Sequence, residues 1–348
     1  MSERRKPNGS TIAPSVVRMR AEEWRGLSRA PVLGAMLGAM LGGWGYGMAD
    51  EAGGLIALPA PLLKGSRARC DAWLSSGPVR SGKTACVQWR TDGHWLLGAA
   101  DVMAGATDLQ PLAHRIYQDL FETLEETGFA HLHRLWNYLP QINVSTQGME
   151  RYRQFNAGRQ QAFLDHGRDA FDGSPAACAL GVDSDHLSLR FLAAQGAPRP
   201  VDNPRQVPAY RYPSDYGPRP PTFSRAALTD LGDGRVGLWI SGTASIVGHT
   251  SVHPGDVVAQ THETLNNLQA VLRSAEAACS ARFALADLVA CVYIRQAAHQ
   301  PLVQTELDNA WGPASKAASQ VVYVKADVCR AELLVEVEAH IVAPGSLN

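Results

Sequence analysis

Two stretches of this chain run through the same order of elements, and that repetition restricts the fold more than any other feature. Residues 95–102 (WLLGAADV) read as a strand. A helix over 112–127 follows, with Ile116, Leu120 and Leu124 on one face, and then a second strand over 132–139 (LHRLWNYL). The later stretch has a strand over 236–246 (VGLWISGTASI) and a helix over 257–274 striped by Leu265, Leu268 and Leu272. A strand over 288–295 (LVACVYIR) closes it. Apolar residues at three- and four-residue steps mark the helices. Both helices carry the triplet ETL. This limited internal duplication predicts two strand–helix–strand units in an α+β fold, with mixed sheets packed against helices.

The length of 348 residues accommodates two such units. Residues 1–25 are polar and basic and are expected to form a mobile tail. The first unit is then placed at 26–196, a connecting loop at 197–222 and the second unit at 223–348. A net charge of −1 gives no electrostatic reason to expect nucleic acid. Residues 31–47 (PVLGAMLGAMLGGWGYG) are uncharged but too short and too glycine-rich to span a bilayer well, so a strand and turn in a core is expected, and no membrane. The six cysteines show no CxxC and no metal-ligand spacing, as for reduced thiols in the cytoplasm. The oligomeric state is open at this point, with a monomer preferred.

The segment 197–221 (APRPVDNPRQVPAYRYPSDYGPRPP) holds eight prolines, which exclude a regular helix or a central strand. It also carries Tyr210, Tyr212 and Tyr216 among arginines, residue types common at binding surfaces. A lid or wall over a site between the units is preferred to a plain linker.

Around 148–163 the spacing of Tyr152, Phe155, Arg159 and Ala162 predicts an amphipathic helix with Arg159 inside its apolar stripe. A guanidinium facing the interior is costly unless an anion pairs with it. That anion can be a protein carboxylate or a small-molecule carboxylate or phosphate, and the pattern does not choose. Arg151 and Arg153 fall outside the stripe and are expected to be solvated, with Glu150 available to Arg153. Arg295 ends the strand at 288–295, either at the mouth of a site or on the surface.

Other motifs carry less. GPVRSGKT (77–84) fits the phosphate-loop pattern, but the residues after it alternate like a strand instead of opening a helix, so a turn between two strands is expected. His131 and His133 share a strand face, and His249, His253 and His262 lie far along the chain, without the spacing of a metal site. The strand at 333–341 (LLVEVEAHI) places Glu336, Glu338 and His340 on one face, which reads as the solvated side of an edge strand. If a lid covered it, a carboxyl there would hold its proton more tightly and could act as a general acid.

Four motifs in order, HLHRLWNYLPQIN…GMERYRQFNAGRQQAF, YGPRPPTFSRA, LWISGTASIVG and VCRAELLVEVEA, resemble the chorismatase family, from about residue 85 to the C-terminus. SGTASIVG, VYIRQ and LLVEVEA are also similar to the small YjgF/Rid fold. The resemblance implies two fused Rid-like (YjgF-type) units and cleavage of the enolpyruvyl ether of chorismate to pyruvate, with no cofactor and no metal. It implies Arg159 and Arg295 as anchors for the substrate carboxylates, with Tyr152 and Tyr212 or Tyr216 nearby. It also implies a glutamate of the last strand as the proton donor to the enolpyruvyl methylene. Glu336 matches the acidic residue of the Rid fold and is preferred, and Glu338 stays open. Product choice in the family follows the small residue after SGT, here Ala244, and the residue seven before the acid. That residue is Cys329 for Glu336 or Ala331 for Glu338. Cysteine there implies 3-hydroxybenzoate, with some 4-hydroxybenzoate in certain members, and alanine at both positions implies hydrolysis to a dihydrodiol. A Rid-type deaminase of imines or enamines and a non-catalytic ligand-binding module are the rival readings.

Overall fold

A computed structural model describes residues 15–29, 39–50, 54–75, 77–105 and 108–348. The expected mobile tail is structured from Ser15 onward. Ser15–Arg20 (β1) leads into a helix, Ala21–Arg29 (α1), and joins Ala39–Tyr46 (β2), Leu55–Ala57 (β3) and Arg69–Ser75 (β4) in a sheet of order β1-β4-β2-β3. Composition misleads here because one basic residue of the segment is buried. The Arg18 guanidinium pairs with Asp71 at 2.6 Å and also donates to the Tyr46 hydroxyl. β2 supplies the expected strand of the glycine-rich stretch, whose residues 31–38 lie outside the described residues.

The duplication in the sequence is a duplication of topology. The first unit contains Arg80–Thr84 (β5), Val87–Thr91 (β6), Trp95–Met103 (β7), Leu109–Thr127 (α2) and His131–Pro140 (β8). A short hairpin follows, Ser145–Thr146 (β9) and Met149–Glu150 (β10), then Arg151–Asp165 (α3), Ala176–Val182 (β11) and His186–Ala194 (β12). Its six-stranded sheet has the order β11-β8-β12-β7-β6-β5. The second unit contains Arg199–Val201 (β13), Ala226–Asp230 (β14), Arg235–Ala244 (β15), the hairpin Ile246–Val247 (β16) and Thr250–Ser251 (β17), and Val257–Ala277 (α4). Val289–Ile294 (β18), Gln300–Trp311 (α5), Lys316–Gln320 (α6), Val322–Lys325 (β19) and Val335–Pro344 (β20) complete it. Its sheet order is β13-β14-β15-β20-β18-β19. In each unit the last strand inserts antiparallel between the two strands that flank the long helix, and a short strand pairs parallel at the far side.

Local sequence sets the helix ends. Asp108 accepts from the Gln110 amide at the start of α2 and Gly128, at φ 77°, ends it; Asp256 caps α4 through the Ala259 amide. At the crossing of α2 and α3 a Cβ on Gly158 would lie 2.0 Å from the Gln110 carbonyl oxygen, so only glycine admits this approach. The two helices of the first unit and the three of the second cover the outer face of their own sheet. The inner faces meet in a shared core of Trp95, Trp136, Tyr138 and Cys178 from one sheet and Trp239, Cys291 and Tyr293 from the other.

That face-to-face packing overturns the edge-strand expectation. β20 is central, and Glu336, Glu338 and His340 are buried because the first sheet covers the face that carries them. The phosphate-loop pattern forms β5 of the β5–β6 hairpin, and no helix follows it. His133 is buried between Thr229 Oγ1 at 2.6 Å and the Gly196 carbonyl at 2.8 Å, and burial pushes its pKa down to about 4. Among the described residues no group of His, Cys, Asp or Glu could hold a metal, and no helix is long and apolar enough to cross a membrane.

Candidate active site

A cavity of about 220 Å³ opens where the two units meet. The first unit contributes Glu150, Tyr152 and Arg153 from the start of α3. The proline-rich segment contributes Tyr212 and Tyr216 as its wall, with Gln206, Phe223 and Arg225 on either side. The second unit contributes Gly242 and Ala244 at the end of β15, Ile246 of β16, Glu336 at the start of β20, and the turn Cys329, Arg330, Ala331 and Glu332. A lid or wall was the expected role of the tyrosine-bearing segment, and it takes that position.

Glu336 owes its place to an irregularity. The register of β15 against β20 shifts between Ile240 and Thr243, and beyond the shift Ala244 pairs with Glu336. The Glu336 carboxyl lies over Gly242, where a Cβ would come within 1.9 Å of Oε1. Burial, and then the negative charge of Glu338, raise the Glu336 pKa to about 8, against a smaller opposing effect of Arg134. A carboxyl with this environment carries a proton at neutral pH and faces a cavity.

Glu338, two residues on, has other surroundings. It is absent from the cavity lining. Its carboxylate is paired with Arg134 from β8 and accepts the Tyr293 hydroxyl at 2.6 Å, and the Tyr138 hydroxyl stands 3.1 Å from that of Tyr293. The two glutamates, equivalent by alternation, are thus separated by geometry into a cavity acid and a buried ion pair.

The arginines are rearranged relative to expectation. Arg295 does not line the cavity. Its donors go to Leu333 O, Asn143 Oδ1, Asp327 Oδ1, Val328 O and Arg330 O, at 2.7–3.1 Å. None remains for a ligand, and the side chain instead holds the turn that presents Cys329 and Arg330. Arg159 is buried as expected, but it too is absent from the cavity lining. It stacks on Tyr117 (5.3 Å) and Phe163 (5.7 Å), and its Nε and Nη2 have no hydrogen-bond partner. Arg151, expected in solvent, is buried and donates to the carbonyls of Pro140 (2.9 Å) and Gly105 (3.0 Å). The stripe argument fails for Arg151 because its guanidinium reaches back to the end of β8 and the turn after β7. Arg153 keeps the Glu150 partnership, at 3.5 Å, with its side chain partly in solvent.

Two arginines that periodicity could not find do line the cavity. The Arg330 guanidinium lies 4.2 Å from the centre of the Tyr216 ring and 5.2 Å from that of Tyr212. It donates to His249 O at 2.9 Å and Ser251 Oγ at 3.1 Å, and its buried Nη2 has no partner. Arg225 stacks on Phe223 and Tyr212 and donates to Val207 O and the Tyr212 hydroxyl, both at 2.8 Å, while its buried Nε has no partner. Among the described residues neither forms an ion pair with a carboxylate. Both stand inside quoted motifs, Arg225 in TFSRA and Arg330 in VCRAELL, and that proximity was the available signal.

Cys329 and Tyr152 face Glu336 across the cavity. Burial, followed by the Glu336 charge, pushes the Cys329 thiol up to about 12, so it is present as a neutral thiol. Burial likewise keeps the Tyr152 hydroxyl protonated. The arrangement offers one carboxylic acid that can give a proton, two cations without carboxylates, and aromatic walls.

Residues 71–193 match the family described as Chorismatase FkbO/Hyg5-like, N-terminal. A 3-hydroxybenzoate synthase of Streptomyces hygroscopicus is 35% identical over 277 residues, which span 77% of this chain and 80% of that protein. A chorismatase of Streptomyces rapamycinicus is 36% identical over the same shares of the two chains. A chorismatase crystal structure superposes over 95% of this chain and 99% of its own, with a TM-score of 0.81 and 27% identity.

Proposed function

The chain belongs to the chorismatase family, and we propose that its cavity cleaves chorismate to pyruvate and 3-hydroxybenzoate, with Glu336 as the general acid. The observation that carries this reading is a protonated carboxyl facing the same small cavity as two guanidinium groups that have no carboxylate partner. Chorismate has a ring carboxylate and an enolpyruvyl carboxylate. Arg225 and Arg330 suit two such groups, and arginine binds carboxylates through paired hydrogen bonds. Tyr212, Tyr216 and Phe223 form the apolar wall for the ring. Arg159, with two unpaired nitrogens, stays a proposed contributor to binding, whereas Arg295 serves the architecture.

In this reading Glu336 gives its proton to the methylene carbon of the enolpyruvyl group, which becomes a methyl group on an oxocarbenium carbon. The bond from the ether oxygen to the ring breaks, its electron pair stays on oxygen, and that oxygen leaves as the keto oxygen of pyruvate. The ring carbon is met by the oxygen of the ring's own hydroxyl, whose proton returns to the Glu336 carboxylate. The resulting ring oxide opens and aromatises. Hydroxybenzoate plus pyruvate has the atoms of chorismate, so this route consumes no water. Formation of the dihydrodiol consumes one. The neutral thiol of Cys329 beside Glu336 supports the aromatic product, because it places a polarisable, weakly hydrogen-bonding group where a water would have to stand.

Six cysteines without a disulfide fit a reducing compartment, and we read the enzyme as cytoplasmic. The test is incubation of the purified protein with chorismate in the presence of EDTA, with pyruvate and ring product followed together. Equal release of pyruvate and 3-hydroxybenzoate is expected. No pyruvate would overturn the reading, and dihydrodiol would move product control to Ala244 and Ala331, which also line the cavity.

A further inference from the structure

The reaction as derived uses Glu336 and leaves unexplained why a buried ion pair lies beside it. Glu338 occupies the same face of β20, two residues along, so the two Cα atoms are about 7 Å apart at the usual rise of a strand. Both oxygens of Glu338 accept hydrogen bonds from donors fixed by other strands, Arg134 on β8 and Tyr293 on β18. Replacing such a pair with apolar residues is often neutral or stabilising, so its presence in the core calls for a reason other than stability.

We propose that Glu338 is a positioning residue for the proton donor: its clamped carboxylate holds Glu336 in the neutral form, and Arg134 sets how strongly that charge is felt. The proposal rests on the assignment of Glu336 as the acid. Arg225, Arg330, Arg153, Glu150 and Glu332 face Glu336 across the cavity, and other groups pack directly around it. Glu338 stands on its own strand, Arg134 comes from β8, Cys178 from β11, Tyr152 from α3 and Cys329 from the turn before β20. Burial keeps Cys178 neutral, as it does Tyr152 and Cys329, so Glu338 and Arg134 are the packed charges that act most on the acid, ahead of those across the cavity. They act with opposite sign, Glu338 raising the affinity of Glu336 for its proton and Arg134 lowering it.

The test is the alkaline limb of the pH profile of kcat/KM for chorismate cleavage in three variants. Glu338→Gln removes the negative charge and leaves Arg134, so the limb should move down by about one pH unit or more, the scale of a nearby charge. Arg134→Gln leaves the negative charge with less opposition, so its limb should move up. Tyr293→Phe removes one hydrogen bond and keeps the charge, so its limb should stay near the wild-type position. It also serves as the packing control if Arg134→Gln does not fold. Loss of activity in Glu338→Gln with an unmoved limb, or an equal shift in Tyr293→Phe, overturns the proposal. A wild type that does not cleave chorismate instead overturns the assignment on which the proposal rests, so the two failures are distinguishable.

Discussion

Gly242 and Glu336 face each other across β15 and β20 so closely that a Cβ on Gly242 would stand 1.9 Å from the carboxyl oxygen. The glycine of the SGTA motif is therefore the seat of the acid. Gly242→Ala should displace the carboxyl by about an ångström and lower kcat on the order of 100-fold, the typical cost of misplacing a reacting group by that distance. Circular dichroism should show an intact fold. Unchanged kcat in the alanine variant would show that the acid does not depend on this contact.

The proton on Glu336 also links pH to both activity and stability. In the proposed reaction the protonated form is the active one, so activity should be highest below the folded-state pKa of about 8 and fall as pH rises through it. For stability, the unfolded chain releases this proton near 4.5 and the native state near 8. Between those values the native state binds one proton more, so its contribution is complete below 4.5 and is lost as pH rises through about 8. Glu336→Gln removes this dependence. Its Tm relative to wild type should be higher at pH 9 than at pH 5, as followed by thermal denaturation at both values.

The arginines should separate into two classes. Arg225→Ala and Arg330→Ala should each lower kcat/KM by about 2–5 kcal/mol of transition-state binding, the cost of truncating one partner of a buried charge pair. Their Tm should fall less than that of Arg295→Ala, because each gives up two donated hydrogen bonds where Arg295 gives up five. Arg295→Ala should instead lower stability by about 1–3 kcal/mol, because buried acceptors lose their donors. Urea denaturation beside steady-state kinetics distinguishes these classes. An Arg295→Ala variant with wild-type stability and a large loss of kcat/KM would return Arg295 to the substrate.

Cys329 is the residue that should decide the product. Cys329→Ala clears space beside Glu336 for a water and should shift the ring product from 3-hydroxybenzoate toward the dihydrodiol, with pyruvate still released. Chromatography against authentic standards reads the ratio. An unchanged ratio would make Cys329 a packing residue only.

Much of this was legible in the sequence because it follows from spacing. The strands and helices of the duplicated units and the wall formed by Tyr212 and Tyr216 follow from spacing and composition, whereas the candidacy of Glu336, Cys329 and Ala244 follows from the family resemblance. The surroundings of β20 were not legible. Alternation in LLVEVEAHI is the same whether the polar face meets water or a second sheet, and only the packing of Trp136, Tyr138 and Arg134 against it shows which. Arg225 and Arg330 escaped for a related reason. They flank regular elements, where no period exists to say which way a side chain faces. Arg295 misled because a strand-end arginine looks the same whether its donors are free or bound to a turn 30-odd residues away in the chain.

The account's central claim is that Glu336 supplies the proton that breaks the enolpyruvyl ether. The most direct test is Glu336→Gln mixed with chorismate in excess over its binding constant, with bound ligand and released pyruvate measured in the same sample. The amide keeps the shape of the site and the two guanidinium groups but has no acidic proton. The account predicts chorismate binding within a few-fold of wild type and no pyruvate above the uncatalysed rate. Pyruvate release by Glu336→Gln at a rate near that of the wild type would contradict it.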